Sequence, residues 1–150
     1  MSAAGGDQTP RVVVGVDGSE ASLRALQWAL EEARLRQATL DVVHTWNRPV
    51  ASEVTVIPVT DVSVEGARDR AEEVLDACLE RVRPGEVPVE RIVSEGSAAG
   101  VLIDVAQGAE LLVVGSRGRG GFSSLLLGSV SHQCALHAPC PVAIVRTDPE

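Results

Sequence analysis

The sequence predicts an α/β domain in which helices wind over both faces of a parallel sheet. Short apolar runs rich in valine and isoleucine recur between turn residues, as strands covered on both faces do. Longer stretches with apolar residues at helical spacing separate them, so that strand and helix alternate along the chain. The length of 150 residues, with 45% hydrophobic and 23% charged side chains, suits one globular domain that buries a core without a disulfide or metal staple.

RVVVGV, Arg11 to Val16, is the first expected strand. In the DGSEAS that follows, Asp17-Gly18 turns the chain, Ser19 can cap a helix, and Glu20 favours its positive end. Leu23, Leu26, Leu30 and Ala33 then mark one face of an amphipathic helix of roughly five turns. TLDVVHTW, Thr39 to Trp46, is the second strand. Asn47 to Ser63 holds Pro49 and Pro58 without a clear period and reads as a long connection. A second helix is expected from about Val62 to Val82, stopped by Pro84-Gly85, and a third strand from Val87 to Gly96. Ser97 to about Gln107 gives a short helix ended by Gly108, and ELLVVG a fourth, wholly apolar strand. A last helix runs near Ser129 to His137, and PVAIVR, Pro141 to Arg146, is the fifth strand.

Five strands alternating with four helices, joined by right-handed crossovers with helices on both faces, require the strand order to reverse. The expected order is 3-2-1-4-5, a doubly wound parallel sheet of the flavodoxin or Rossmann-like kind. Residues 1–10 read as a flexible N-terminal tail and 11–147 as the single domain. In this order the carboxyl ends of strands one and four flank the point where the winding reverses, which is where open α/β sheets hold ligands. Asp17 and the run Gly115 to Gly121 are therefore expected to face one cleft.

A net charge of -8 and a pI near 4.9 repel nucleic acid and anionic membrane over most of the surface, so any anion site must be local. No apolar run reaches the about 18 residues of a membrane span. MSAAGGDQTP lacks the charged and apolar regions of a signal peptide, which makes the cytoplasm the expected location. Cys78, Cys134 and Cys140 are odd in number without a CxxC spacing and are expected to be reduced thiols. All 13 basic residues are arginine, which excludes a P-loop lysine, Schiff-base chemistry and a lysine base together.

The run after the fourth strand, GSRGRGGFSSLLLGSV, fails two standard phosphate motifs. Gly121 and Phe122 stand where a P-loop needs lysine and a hydroxyl residue, and the third glycine of a dinucleotide fingerprint is missing. The pattern that fits is G-x2-G-x9-G-[ST], matched by Gly115, Gly118, Gly128 and Ser129, with Ser123 to Leu127 as spacer. Glycines of this kind let backbone amides approach a phosphate, and Gly128-Ser129 would open a helix whose N-terminus attracts anions. Arg117 and Arg119 add local positive charge.

Together with VVVGVDGSEAS, this segment resembles the ATP-binding branch of the universal stress protein family over essentially Arg11 to Arg146. The resemblance implies that Asp17 hydrogen-bonds the adenosine end of ATP, with Gly15 and Val16 beside it, and that the backbone of Thr45 recognises adenine. It implies that Val114, Gly115, Gly118, Gly128, Ser129 and Val130 line ribose and phosphates, with a Mg2+ arriving on the nucleotide because no carboxylate cage is evident. It also implies a homodimer through the fifth strand, whose edge is short and apolar. No general base stands beside a nucleophile, so the implied function is a nucleotide-dependent stress-response switch or chaperone-like binding protein with unknown protein clients. The alternatives are a weak Mg-dependent ATPase or phosphotransferase using Asp17, and an interaction module that is nucleotide-free or takes another adenine nucleotide such as cAMP.

Plainer roles are open for several of these residues. Asp17 can be a turn residue. His44 reads as a satisfied, half-buried histidine, and Trp28 and Trp46 as core or interface residues. His132, Cys134, His137 and Cys140 straddle a helix end and a proline turn, a poor geometry for zinc, and no cationic neighbour is evident for Cys134 or Cys140.

Overall fold

The computed structural model describes residues 9–48, 61–117 and 127–146. Strands and helices alternate as β1 (Arg11–Gly15), α1 (Glu20–Arg36), β2 (Thr39–Trp46), α2 (Asp61–Val82), β3 (Val89–Glu95), α3 (Ala98–Val105), β4 (Leu111–Gly115), α4 (Ser129–His137) and β5 (Val142–Val145). The sheet order is β3-β2-β1-β4-β5, and every neighbouring pair is parallel. Residues 1–8 of the expected tail, most of the connection after β2, Gly118, Arg119 and most of the spacer lie outside the described residues. None of the described helices is long and apolar enough to cross a membrane.

Alternation along each strand divides the core in two. Val12 and Val14 of β1 and Leu111 and Val113 of β4 meet Leu26, Leu30 and Ala33 of α1 and Leu75 and Cys78 of α2. Val13, Leu112 and Val114 point the other way, against Leu102 and Ala106 of α3 and Cys134 of α4. This division follows from handedness. Moving outward from β1 to β3 with right-handed crossovers puts α1 and α2 on one face; the jump from β3 across to β4 reverses direction and puts α3 and α4 on the other.

Prolines account for the late starts of β3 and β5. Val87 lies in a turn, its N–H directed to the Pro84 carbonyl at 3.4 Å, and Pro88 has no N–H to give, so β3 starts at Val89 instead of Val87. Pro141 accepts from Leu112 N–H at 3.0 Å but cannot donate, and β5 starts at Val142. In α3, Ser97 is the cap and not the first helical residue, and the last turn tightens where Gln107 N–H reaches Asp104 O at 3.2 Å.

Arg11, at the start of β1, joins elements far apart in sequence. Its guanidinium pairs with Asp41 of β2 at 2.5 Å and donates to the Val105 carbonyl at 3.2 Å and the Gln107 carbonyl at 2.6 Å. Asp41 is 4% exposed, so its charge depends on this partner. The Val105 carbonyl ends α3 and the Gln107 carbonyl lies two residues beyond it, so Arg11 ties the exit from that helix to β1 and β2.

Candidate functional site

At the carboxyl end of β1 the chain turns at Gly18, with φ of 85°, and enters α1 through a closed set of short-range hydrogen bonds. Asp17 Oδ1 accepts from the Ser19 N–H at 2.9 Å and from the Ser19 hydroxyl at 2.5 Å. Ser19 Oγ in turn accepts from the Ser22 N–H at 3.2 Å, which makes Ser19 the helix cap anticipated for it. The Ser22 hydroxyl accepts from the Asp17 N–H at 3.1 Å and donates to the Ser19 carbonyl at 3.0 Å. One oxygen of Asp17 therefore does the work of a turn residue, and the half-buried carboxylate is held at the end of the strand.

Neighbouring strands bring the other candidates to the same edge of the sheet. β1 pairs with β4 through Val14↔Val113, so Gly15 to Asp17 and Gly115 to Arg117 leave the sheet side by side. Gly15 pairs with Val43 of β2, two residues before Thr45, and Thr45 is half-buried. His44 Nδ1 donates to the Val16 carbonyl at 2.8 Å, which satisfies the histidine and fixes the peptide before Asp17. Trp46 is buried, with the Arg68 guanidinium 5.7 Å from its ring centroid, whereas Trp28 is exposed. The side chains of Val16 and Val114 belong to the two cores and that of Val130 packs against one of them, so these residues offer the edge their backbone.

Two of the glycines have packing reasons independent of any ligand. A Cβ on Gly115 would lie 3.1 Å from the carbonyl oxygen of Ala21, so only glycine lets the start of α1 sit this close to β4. On Gly15 it would come within 2.8 Å of Leu102 Cδ1 on α3.

The described chain resumes before α4, where the ends of the motif are tied together. Gly128 N–H donates to the Ser116 carbonyl at 2.7 Å, and Ser116 N–H donates to Val145 O of β5 at 2.9 Å. Gly128 is the N-cap of α4, with φ -75° and ψ 171°, a conformation open to any residue. Ser19 and Ser97 cap α1 and α3 with their side chains, but Gly128 supplies no such bond. The first turn of α4 thus lies, without a side-chain cap from Gly128, at the sheet edge that holds Asp17, Thr45 and Arg117.

Cys134 is fully buried and burial pushes its thiol up to about 11, with a smaller contribution from nearby Cys140. For Cys140 the structure corrects the expectation that no cation is near: the Arg11 charge lowers its pKa, but burial outweighs it and the net shift is upward. Neither is poised as a thiolate nucleophile, and none of the three cysteines is in a disulfide. Among the described residues no three histidine, cysteine or acidic side chains converge as metal ligands.

The universal stress protein family model matches residues 9–146. Universal stress protein YxiE of Bacillus subtilis is 32% identical over 91% of this chain and 98% of its own length. Universal stress protein Rv2623 of Mycobacterium tuberculosis is 32% identical over 95% of this chain and 50% of its own, so the chain spans about half the length of such mycobacterial relatives. Among solved structures, a universal stress protein in complex with cAMP is 27% identical, with a TM-score of 0.70 over 93% of this chain and 98% of that one. A universal stress protein from Archaeoglobus fulgidus in complex with dAMP is 26% identical, with a TM-score of 0.64 over 92% of this chain and 98% of that one.

Proposed function

The chain belongs to the universal stress protein family, and from that premise we propose that it binds an adenine nucleotide, ATP by preference, at the switch point between β1 and β4. The nucleotide would act as a switch on a stress-response or chaperone-like protein in the cytoplasm. The observation that carries this reading is the first turn of α4, which its N-cap Gly128 gives no side-chain cap, set at the carboxyl edge of the sheet beside Asp17 and Gly115. The relatives that hold cAMP and dAMP support an adenine site in this fold.

In this reading the backbone of Thr45 meets the adenine, Asp17 takes a ribose hydroxyl, and Gly15 and Val16 form the floor. The backbone of Val114, Gly115, Gly128, Ser129 and Val130 faces ribose and phosphates, joined by Gly118, Arg117 and Arg119. Mg2+ comes with the phosphates. The half-exposed, all-apolar edge strand β5 is the proposed contact of a homodimer; a monomer in light scattering at micromolar concentration would remove that part.

Calorimetry with ATP, ADP, AMP, cAMP and adenosine, with and without Mg2+, tests the reading. ATP should bind more tightly than millimolar and more tightly than adenosine. If cAMP or AMP binds and ATP does not, the site is one for adenine mononucleotides, as the cAMP-bound relative suggests. If none of them binds more tightly than millimolar, the proposal fails.

A further inference from the structure

We infer that Ser131 is the positioning residue of the phosphate cradle, acting through backbone carbonyls without touching the nucleotide. This inference rests on the nucleotide reading above. Ser131 lies in the first turn of α4 and is 2% exposed, closed off from any ligand. Its hydroxyl is 3.0 Å from the Ser116 carbonyl oxygen and 3.1 Å from the Gly128 carbonyl oxygen. Both are acceptors, so the single hydroxyl proton is shared between the peptide that leaves β4 and the peptide that enters α4.

The Ser116 carbonyl is already joined to the peptide before Gly128, by Gly128 N–H at 2.7 Å, and the Gly128 carbonyl, in the peptide after it, receives the first helical bond from His132 N–H at 3.0 Å. The bond to the Gly128 N–H alone leaves the next peptide, the one that enters α4, free to rotate relative to the Ser116 carbonyl. The Ser131 hydroxyl supplies a second, off-axis tie from a side chain held in the core. It therefore fixes the direction in which the first amides of α4 point relative to the end of β4. Amide direction is what a phosphate responds to, since the attraction depends on aligned N–H groups; an adenosine without phosphates would not sense it.

The test is a comparison of ATP and adenosine binding by calorimetry in the wild-type chain, Ser131→Ala and Ser131→Thr. Ser131→Ala keeps the Gly128-to-Ser116 bond and fits the existing space. It should weaken ATP about tenfold, the equivalent of one net hydrogen bond, and leave adenosine unchanged, while Ser131→Thr restores ATP affinity toward wild type. Equal loss for both ligands would assign Ser131 a general structural role and overturn the inference, and so would no loss at all. If the threonine methyl is not accommodated, amide exchange at Gly128 decides: exchange in Ser131→Ala no faster than wild type overturns the inference. A wild-type chain that prefers ATP no more than adenosine would instead overturn the nucleotide reading itself, which keeps the two failures apart.

Discussion

Gly128→Asp is expected to weaken ATP binding by at least about 100-fold while leaving the melting temperature unchanged or raised. Stability and function are pulled apart here by a single residue's chemistry. The backbone of Gly128, at φ -75° and ψ 171°, suits a residue with a side chain, and it occupies a cap position where aspartate is among the best residues. A carboxylate at this point caps α4 as Ser19 caps α1 and Ser97 caps α3. That same carboxylate occupies the donors that a phosphate would use and adds a like charge within a few ångströms of it. Loss of a charge-assisted hydrogen bond plus that repulsion amounts to about 3 kcal/mol or more. Calorimetry with ATP and thermal unfolding on the same variant provide the check. Undiminished ATP affinity in a folded Gly128→Asp protein would mean that the first turn of α4 does not meet the phosphates.

Arg11→Met should cost about 3 kcal/mol of stability, corresponding to a fall in melting temperature of about 6–12 °C for a chain of this size. The reason is the partner left behind. Asp41 has 6% of its side chain exposed, and without Arg11 its charge is buried and uncompensated; the Val105 and Gln107 carbonyls lose their Arg11 donor as well. Because the Arg11 side chain is itself 32% exposed, the effect belongs at the lower end of the range for a buried pair. The double replacement Arg11→Met with Asp41→Leu should recover most of the loss, since no unpaired charge remains. Denaturant unfolding of the three variants measures this, and an Arg11→Met protein within about 0.5 kcal/mol of wild type would show that the pair is energetically idle.

These two sites also mark where the sequence was readable and where it was not. The sheet order β3-β2-β1-β4-β5 follows from alternating periodicities and from the handedness of crossovers, both of which are local or general rules. α4 falls at Ser129–His137 as its pattern suggests, whereas β3 and β5 start later than their apolar runs because Pro88 and Pro141 cannot donate to the ladder. The Arg11 and Asp41 pair spans 30 positions, and nothing in RVVVG or TLDVV says that the two charges meet. Cys140 is a further case: its arginine neighbour is Arg11, from the other end of the chain.

In the candidate site, spacing singles out the glycines and the strand order singles out Asp17, but neither says what each glycine is for. Gly115 admits the Ala21 carbonyl and Gly15 admits Leu102, which depends on which face of the strand each helix covers. Ser131 was missed altogether. A serine among SVSHQCALH looks like any surface residue of a helix until the fold buries it between two carbonyls. His44, by contrast, has the plain role its apolar surroundings suggest, a hydrogen bond to the Val16 carbonyl.

Backbone amide chemical shifts, followed by NMR as ATP is added to the labelled chain, test the central claim most directly. A nucleotide at the β1–β4 switch point predicts the largest perturbations at Gly15 to Ser19, Thr45, Gly115 to Arg117 and Gly128 to Val130. The groove between α1 and α2, lined by Leu23, Gln27, Arg81 and Val82, should be little affected. Perturbations concentrated in that groove, or none at millimolar ATP, would contradict the account.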